Sequence, residues 1–477
     1  MTDYELVVGL EVHVELRTKS KIFCSCSTSF GDSPNSHICE VCAGLPGALP
    51  RLNKKVVDYA VMTALALNCE ITGETRFDRK NYFYPDLPKG YQISQLYSPL
   101  GKNGYLDVGE PSTRIRIHEL HMEDDAGKLI HDESTNQTLI DLSRCGVPLL
   151  EIVTEPDFRS AEEVVSFLEQ LRTMLKFIGV SDCKMQEGSL RVDVNLSVRP
   201  QGEKALGTRT EMKNLSSFRA VNKAIGYEAE RQWEIVRNGG TIERETRRWD
   251  EEKEQTFSMR KKEDASEYRY FPEPDLPVIH ISKEKIDEIQ SNLPELPDEK
   301  RRRYIEEMNL PPYDAGILTA NKETAVLFEK TAEICKDPKE ASNWIMGELM
   351  KLLNDSGTLA EDLSIREESL GEIILMVKAG RVSRASAKEL LKAAFFEDAI
   401  PEEYAGKHNM WLLSDPSLLT AVVEKVIAEN PKPVSEYKAG KTKNFQFLLG
   451  QVMRETKGKA DPSVLRDLLE KQISDGN

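Results

Sequence analysis

Leu6-Val7-Val8-Gly9-Leu10-Glu11-Val12-His13-Val14-Glu15-Leu16 alternates without a break. Leu6, Val8, Leu10, Val12, Val14 and Leu16 fall on one face, and Gly9, Glu11, His13 and Glu15 on the other, the period of a half-buried strand. The pattern returns at 191–198, where Val192, Val194, Leu196 and Val198 oppose Arg191, Asp193 and Asn195. In 209–213, Arg209, Glu211 and Lys213 share a face. Ser160-Ala161-Glu162-Glu163 is a capping box. It opens an amphipathic helix carrying Val164, Phe167, Leu168, Leu171, Met174 and Leu175. A second helix is predicted from about 216 to 237, ending at Asn238-Gly239-Gly240. The expected class is α+β, built on antiparallel strands.

At 477 residues the chain has room for about two to four domains. Prolines punctuate 272–312, and the pattern beyond is helical to about residue 400. Pro401–His408 reads as a second linker, followed by a small helical tail. The expected domains are 1–292, 293–408 and 409–477. Hydrophobic residues at 39% and charged residues at 30% suit a core-forming globular protein. No apolar run approaches the ~18–20 residues that span a bilayer. The opening residues lack a basic-then-apolar leader, so a cytoplasmic location is expected. A net charge of −16 argues against a uniformly basic nucleic-acid surface but leaves room for a local patch.

Four of the eight cysteines are Cys24, Cys26, Cys39 and Cys42, two close pairs joined by a loop containing Gly31, Asp32, Ser33 and Pro34. Such pairs close a tetrahedral zinc site, and four protein ligands leave no open position, so the expected role is structural. Four unrelated thiols are the competing reading, and His37 is a less favoured substitute ligand. Cys69, Cys145, Cys183 and Cys335 are isolated and read as small core residues or free thiols.

The polar strand faces hold the candidate chemistry. Glu11 and His13 point together, Glu123, Asp124 and Asp125 follow an arginine-rich strand, and Glu151, Asp193 and Glu211 lie in further strand-like segments. On one sheet these carboxylates would repel unless cations neutralised them, and oxygen ligands with one imidazole suit Mg²⁺ or Mn²⁺. A face simply turned to water is the alternative. Lys80, Arg209, Lys213, Arg247, Arg260 and Arg269 lie among aromatic and proline turns and could hold phosphates. Tyr82-Phe83-Tyr84-Pro85-Asp86-Leu87-Pro88 and Tyr270-Phe271-Pro272-Glu273-Pro274-Asp275-Leu276-Pro277 look alike, too little for a duplication. Ala439-Gly440-Lys441-Thr442 ends like a phosphate-binding loop, but Ser435 stands where that motif needs glycine.

Residues 432–459 carry Lys432, Lys438, Lys441, Lys443, Arg454, Lys457 and Lys459 against Glu436 and Glu455, with Tyr437, Phe445 and Phe447 interleaved. Local positive charge with aromatics suits an RNA backbone. An amphipathic helix with Phe445, Leu448, Leu449 and Val452 in the core is the alternative.

The segments 9–16, 77–86, 121–128, 188–195, 213–218 and 268–275 together resemble the B-subunit family of heterotrimeric glutamyl-tRNA(Gln)/aspartyl-tRNA(Asn) amidotransferases, over essentially the whole chain. The resemblance implies a cradle-shaped catalytic domain, an all-α domain and a small α-helical tRNA-binding tail. It implies ATP-dependent phosphorylation of the side-chain carboxylate of misacylated Glu-tRNA(Gln) or Asp-tRNA(Asn), then amidation by ammonia. The ammonia comes from a glutaminase A subunit, with a small C subunit alongside. No glutaminase signature is visible in this chain. On this reading Glu11, His13, Glu123, Asp125, Glu151, Asp193 and Glu211 form the catalytic centre. Glu11, His13, Glu123, Asp125 and Glu211 hold Mg²⁺, Lys80, Arg209, Lys213 and Arg260 meet ATP, and Lys438, Lys441, Lys443 and Arg454 meet tRNA. Two other classes compete: a carboxylate–amine ligase for a small molecule, which has no use for a basic tail, and a zinc-containing RNA-binding scaffold, which the acidic faces disfavour.

Overall fold

The computed structural model describes residues 4–109, 112–132, 134–261, 268–413, 416–456, 458 and 460–475. The alternating stretch at the N-terminus is strand β1, Tyr4–Glu15, with Val8, Leu10, Val12 and Val14 buried. It sits in the middle of a nine-stranded sheet whose other strands, numbered along the chain, are β2 (Glu70–Ile71), β3 (Gly101–Val108), β4 (Thr113–Asp124), β5 (Pro148–Thr154), β6 (Leu190–Pro200), β7 (Thr210–Lys213), β8 (Glu245–Asp250) and β9 (Gln255–Lys261). The spatial order is β9-β8-β7-β6-β1-β5-β4-β3-β2. Every neighbouring pair is antiparallel except β7 and β8, which run parallel. This is the expected α+β class on a mostly antiparallel sheet.

Three helices bury the apolar face: α1 (Lys54–Ala66), α2 (Ala161–Phe177) and α3 (Phe218–Arg237). The Ser160 hydroxyl accepts from the Glu163 amide, as the capping box predicts, and Ser217 caps α3 in the same way. Away from the polar face, Glu228 of α3 is a carboxylate sunk completely in this unit. It accepts from Thr210, Gln232 and Thr256, and from Arg231 at 2.6 and 2.9 Å, with Arg247 at 3.3 Å. That network ties α3 to β7, β8 and β9. It also takes Arg247 away from the phosphate-binding role open to it in the sequence.

Contacts divide the chain into Met1–Leu296 and Pro297–Asn477. The second unit is helical and holds two separate hydrophobic cores, one from Tyr304 to Ala405 and one from Leu419 to Ile473. The segment read as a linker at Pro401–His408 is instead a helix, Pro401–Lys407, with Pro401 in its first turn. Proline lacks only a donor that the first turn leaves unpaired anyway, so it started a helix here rather than breaking one. No helix among the described residues is long and apolar enough to cross a membrane.

Replacing Glu228 by alanine removes the buried carboxylate that Arg231 and Arg247 share and leaves Glu245 as their one remaining carboxylate among the described residues. Urea unfolding of the Glu228→Ala protein is expected to show a loss of about 3–5 kcal/mol. A loss below about 1 kcal/mol would mean that the network does not hold the sheet edge to α3.

Candidate functional site

Antiparallel register decides which polar residues meet. On β1, His13 faces Glu151 of β5 on one side and Arg191 of β6 on the other, and Glu11 faces Asp193 of β6. One strand further out, Glu151 faces His121 and Leu149 faces Glu123 on β4. On the opposite flank Asn195 faces Glu211 of β7. Cross-strand neighbours stand about 4.5–5.5 Å apart at Cα, so residues far apart in the chain converge on one face. They form two groups, His13–Glu123–Glu151 and Glu11–Asp193–Glu211, with ligand atoms in each within 4.8 Å of one another.

In the first group His13 Nε2 lies 3.5 Å from Glu151 Oε2 and 3.7 Å from Glu123 Oε1. His121, which has no assigned role in the sequence reading, lies 3.0 Å from the same Glu151 oxygen and 3.7 Å from Glu123 Oε2. Burial alone would lower the His13 imidazole, but Glu151, Glu123 and Asp193 outweigh it and push it up to about 9. His121 is raised against the same desolvation by Glu151, Glu119 and Glu123. Burial would raise Glu151, yet the two imidazoles hold it well below the carboxylate range. The alternation Glu119, His121, Glu123 along β4 was the signal that could have found His121.

The second group is braced by neutral donors. Asn195 Nδ2 donates to Glu11 Oε1 at 2.9 Å, and the buried Thr246 hydroxyl donates to Glu211 Oε2 at 2.8 Å. Lys213 hydrogen-bonds Asp193 and stands 3.4 Å from Glu211 Oε1. Desolvation would lower its ammonium, but Asp193, Glu211 and Glu11 raise it. Thr246 sits on β8, whose parallel pairing with β7 has no local sequence signal.

Above the two groups opens a cavity of about 540 Å³, lined among others by His13, Lys80, Glu123, Arg191, Asp193 and Lys213. The Lys80 ammonium enters it without an ion pair to a described residue; burial would lower it, and Tyr270, Glu123 and Glu151 raise it. Asp125 lines the cavity but joins neither group. It is held by Arg191 at 2.9 Å and Arg144 at 3.3 Å. Beside it Glu15 is pushed up to about 8, by burial and then by Asp125. Arg209 is exposed just before β7 and does not line the cavity. The side chain of Arg260 lies outside the described residues.

Cys24, Cys26, Cys39 and Cys42 bring their sulfurs within 4.8 Å of one another. That is close to the ~3.8 Å edge of a zinc tetrahedron with ~2.3 Å bonds. The donor set fits a tetrahedral thiophilic ion. Lys21, wholly buried, donates to the His37 carbonyl at 2.6 Å and lies 3.7 Å from Cys42 Sγ. A hydrogen bond from Cys24, with the ammonium nearby, pushes the Cys42 thiol down to about 4. The His37 ring turns away, to Asp32 Oδ2 at 2.7 Å and Ser29 at 3.2 Å.

In the tail, Lys438, Lys441 and Lys443 are exposed around the turn between the helices Pro431–Lys438 and Lys443–Glu455. Arg454 is exposed at the far end of the second, while Lys457 and Lys459 lie outside the described residues. Phe445, Leu448 and Val452 are core, Tyr437 packs on Phe445, and Phe447 is exposed.

A sheet face of carboxylates opens into a cavity that Lys80, Arg191 and Lys213 also line, an arrangement that fits an enzyme site for charged substrates. Similarity to known proteins specifies which. Residues 6–287 match the family model described as the GatB/GatE catalytic domain, and residues 326–473 match the GatB domain. The chain is 52% identical over 476 residues to the aspartyl/glutamyl-tRNA(Asn/Gln) amidotransferase B-subunit of Lachnoclostridium phytofermentans, covering 99% of this chain and all of the relative. It is 53% identical to that of Caldicellulosiruptor saccharolyticus, covering 99% of both, and 50% identical to that of Carboxydothermus hydrogenoformans, covering 99% of this chain and all of the relative. The chain belongs to the B-subunit family of aspartyl/glutamyl-tRNA amidotransferases, and is a ligase subunit of that kind.

The cysteine geometry sets an expectation for metal. Purified protein should carry close to one equivalent of zinc by elemental analysis, and the Cys39→Ser/Cys42→Ser double variant should lose it. Four thiols that alkylate freely under native conditions in zinc-free protein would contradict the site.

Proposed function

We propose that the cavity is where ATP and misacylated tRNA meet, and that the two carboxylate groups beneath it hold magnesium. The observation that carries this reading is the pair of three-ligand groups side by side on one sheet face, each already balanced by imidazole or ammonium. Carboxylates with one imidazole form a hard donor set that suits Mg²⁺. His13, Glu123 and Glu151 would hold one ion, and Glu11, Asp193 and Glu211 the other. The bound ions supply charge neutralisation between a triphosphate and a carboxylate.

This chain's own residues then have definite tasks. Lys80 and Lys213 face the phosphates, and the strand register fixes both reactants at attack distance, near ~3–3.5 Å. The side-chain carboxylate of a glutamyl or aspartyl ester is ionised at neutral pH and needs no general base. Its oxygen attacks the γ-phosphorus, ADP leaves, and an acyl phosphate forms. Ammonia then attacks the acyl carbon, inorganic phosphate departs, and the amide remains after loss of a proton. No glutaminase signature is visible in the sequence, so the ammonia comes from an amidase partner, the A subunit of a heterotrimer with a small C subunit. The relatives are named as subunits, which supports assembly with partners. Residues 1–292, 293–408 and 409–477 serve as catalytic, helical and tRNA-binding domains. The cysteine site is structural zinc.

Glu11→Ala and Glu211→Ala are expected to abolish ATP-dependent amide formation on misacylated tRNA while the proteins still assemble with the amidase. Folded variants that amidate at near wild-type rate would place the chemistry elsewhere. Lys438→Glu, Lys441→Glu and Lys443→Glu together should weaken tRNA binding and flatten its salt dependence by up to about three units of log–log slope. An unchanged slope would remove the tail from the tRNA interface.

A further inference from the structure

Four tyrosines in the first unit stand in a chain that the phosphorylation chemistry leaves unused. Tyr84 and Tyr82 have ring centroids 6.2 Å apart, Tyr82 and Tyr268 6.1 Å, and Tyr268 and Tyr270 6.1 Å, all edge to face. Tyr82 lines the cavity together with His13 and Lys80. The Lys80 ammonium lies 5.3 Å from the Tyr268 ring centroid. At the outer end Tyr84 is 51% exposed and Phe83 is 78% exposed.

The arrangement is held from behind. The strand Asp78–Asn81 pairs with Phe271–Pro272, joining the two aromatic-proline motifs that look alike in the sequence. Asn81 Nδ2 donates to the carbonyls of Arg269 at 2.8 Å and Tyr268 at 3.3 Å. Arg79 clamps Glu273 with two bonds of 2.7 and 2.9 Å. Between the two tyrosines Arg269 has φ 44°, a left-handed conformation that a non-glycine residue keeps only where its surroundings impose it. All three ring pairs meet edge to face, and Tyr82 also lines the cavity, where a planar partner can meet its ring.

We propose that Tyr82 and Tyr268, flanked by Tyr84 and Tyr270, form a purine-stacking subsite that takes the adenine of an adenosine-bearing substrate, with its anionic end directed past Lys80 toward the carboxylate groups. Aromatic side chains stack on nucleobases, and the adjoining ammonium suits what an adenosine carries on its ribose. Two substrates present this chemistry: ATP, and the 3′-terminal adenosine of tRNA. The inference rests on the reading that both enter this cavity.

The test uses the assembled enzyme with Tyr82→Leu and Tyr268→Leu, which keep apolar bulk without a ring, beside Tyr82→Phe and Tyr268→Phe, which keep the ring. In one arm ATP is varied at saturating misacylated tRNA, and in the other misacylated tRNA is varied at saturating ATP. The leucine variants are expected to raise KM by at least about fivefold in one arm with little change in kcat, and the phenylalanine variants to restore it. A rise in the ATP arm assigns the subsite to the nucleotide, and a rise in the tRNA arm assigns it to the acceptor end. Unchanged KM in both arms, or phenylalanine variants as impaired as leucine, would overturn the subsite. Glu211→Ala runs in parallel. If it stays active, the phosphorylation reading fails whatever the tyrosines do.

Discussion

Like charges packed on one face of a sheet are the constraint around which this molecule is organised. Glu11, Glu123, Glu151, Asp193 and Glu211 stand within a few strands of one another, and carboxylates so close cannot all ionise unless cations share the site. The fold supplies those cations in fixed places. His13 and His121 flank Glu151, Lys213 sits against Asp193 and Glu211, and Arg191 and Arg144 hold Asp125. The balance in the resting protein is therefore made of protons and lysine charge. On the proposed reading divalent ions take over this neutralisation in the working enzyme, and the lysines turn to the substrate phosphates.

Strand register is what makes that balance possible. A slip of one residue in β1 would turn Glu11 and His13 into the core and Leu10 and Val12 out to the cavity. The apolar face, packed on α1, α2 and α3, therefore fixes the polar face as strictly as it fixes the core. The Glu228 network extends the same control to β7, β8 and β9, and through β8 it sets the Thr246 hydroxyl on Glu211. Packing on one side of the sheet becomes ligand geometry on the other.

How far the sequence could be read follows from the same physics. Alternation in 6–16 and 191–198 was visible because a half-buried strand writes its period into consecutive residues. The Cys24–Cys42 group was visible because its ligands lie close in the chain. Asp125 looked equivalent to Glu123 in the sequence, but the strand ends at Asp124 and the turn hands Asp125 to Arg191 and Arg144. Lys21 and Thr246 gained their partners only in three dimensions, across loops or between strands separated by long stretches of chain, where no local pattern reports them. Pro401 misled because proline marks a linker and a helix start with the same residue.

The central claim is that a carboxylate oxygen of the aminoacyl group attacks ATP at this sheet face. It is tested most directly by isotope transfer. Misacylated tRNA labelled with ¹⁸O in the side-chain carboxylate is turned over by the assembled enzyme with ATP and glutamine, and the released phosphate is weighed by mass spectrometry. Transfer through an acyl phosphate delivers one ¹⁸O to each phosphate from fully labelled substrate. The account predicts that stoichiometry in the wild type and no labelled phosphate from the Glu11→Ala enzyme. Unlabelled phosphate released alongside amide by the wild type, or labelled phosphate undiminished in Glu11→Ala, would contradict it.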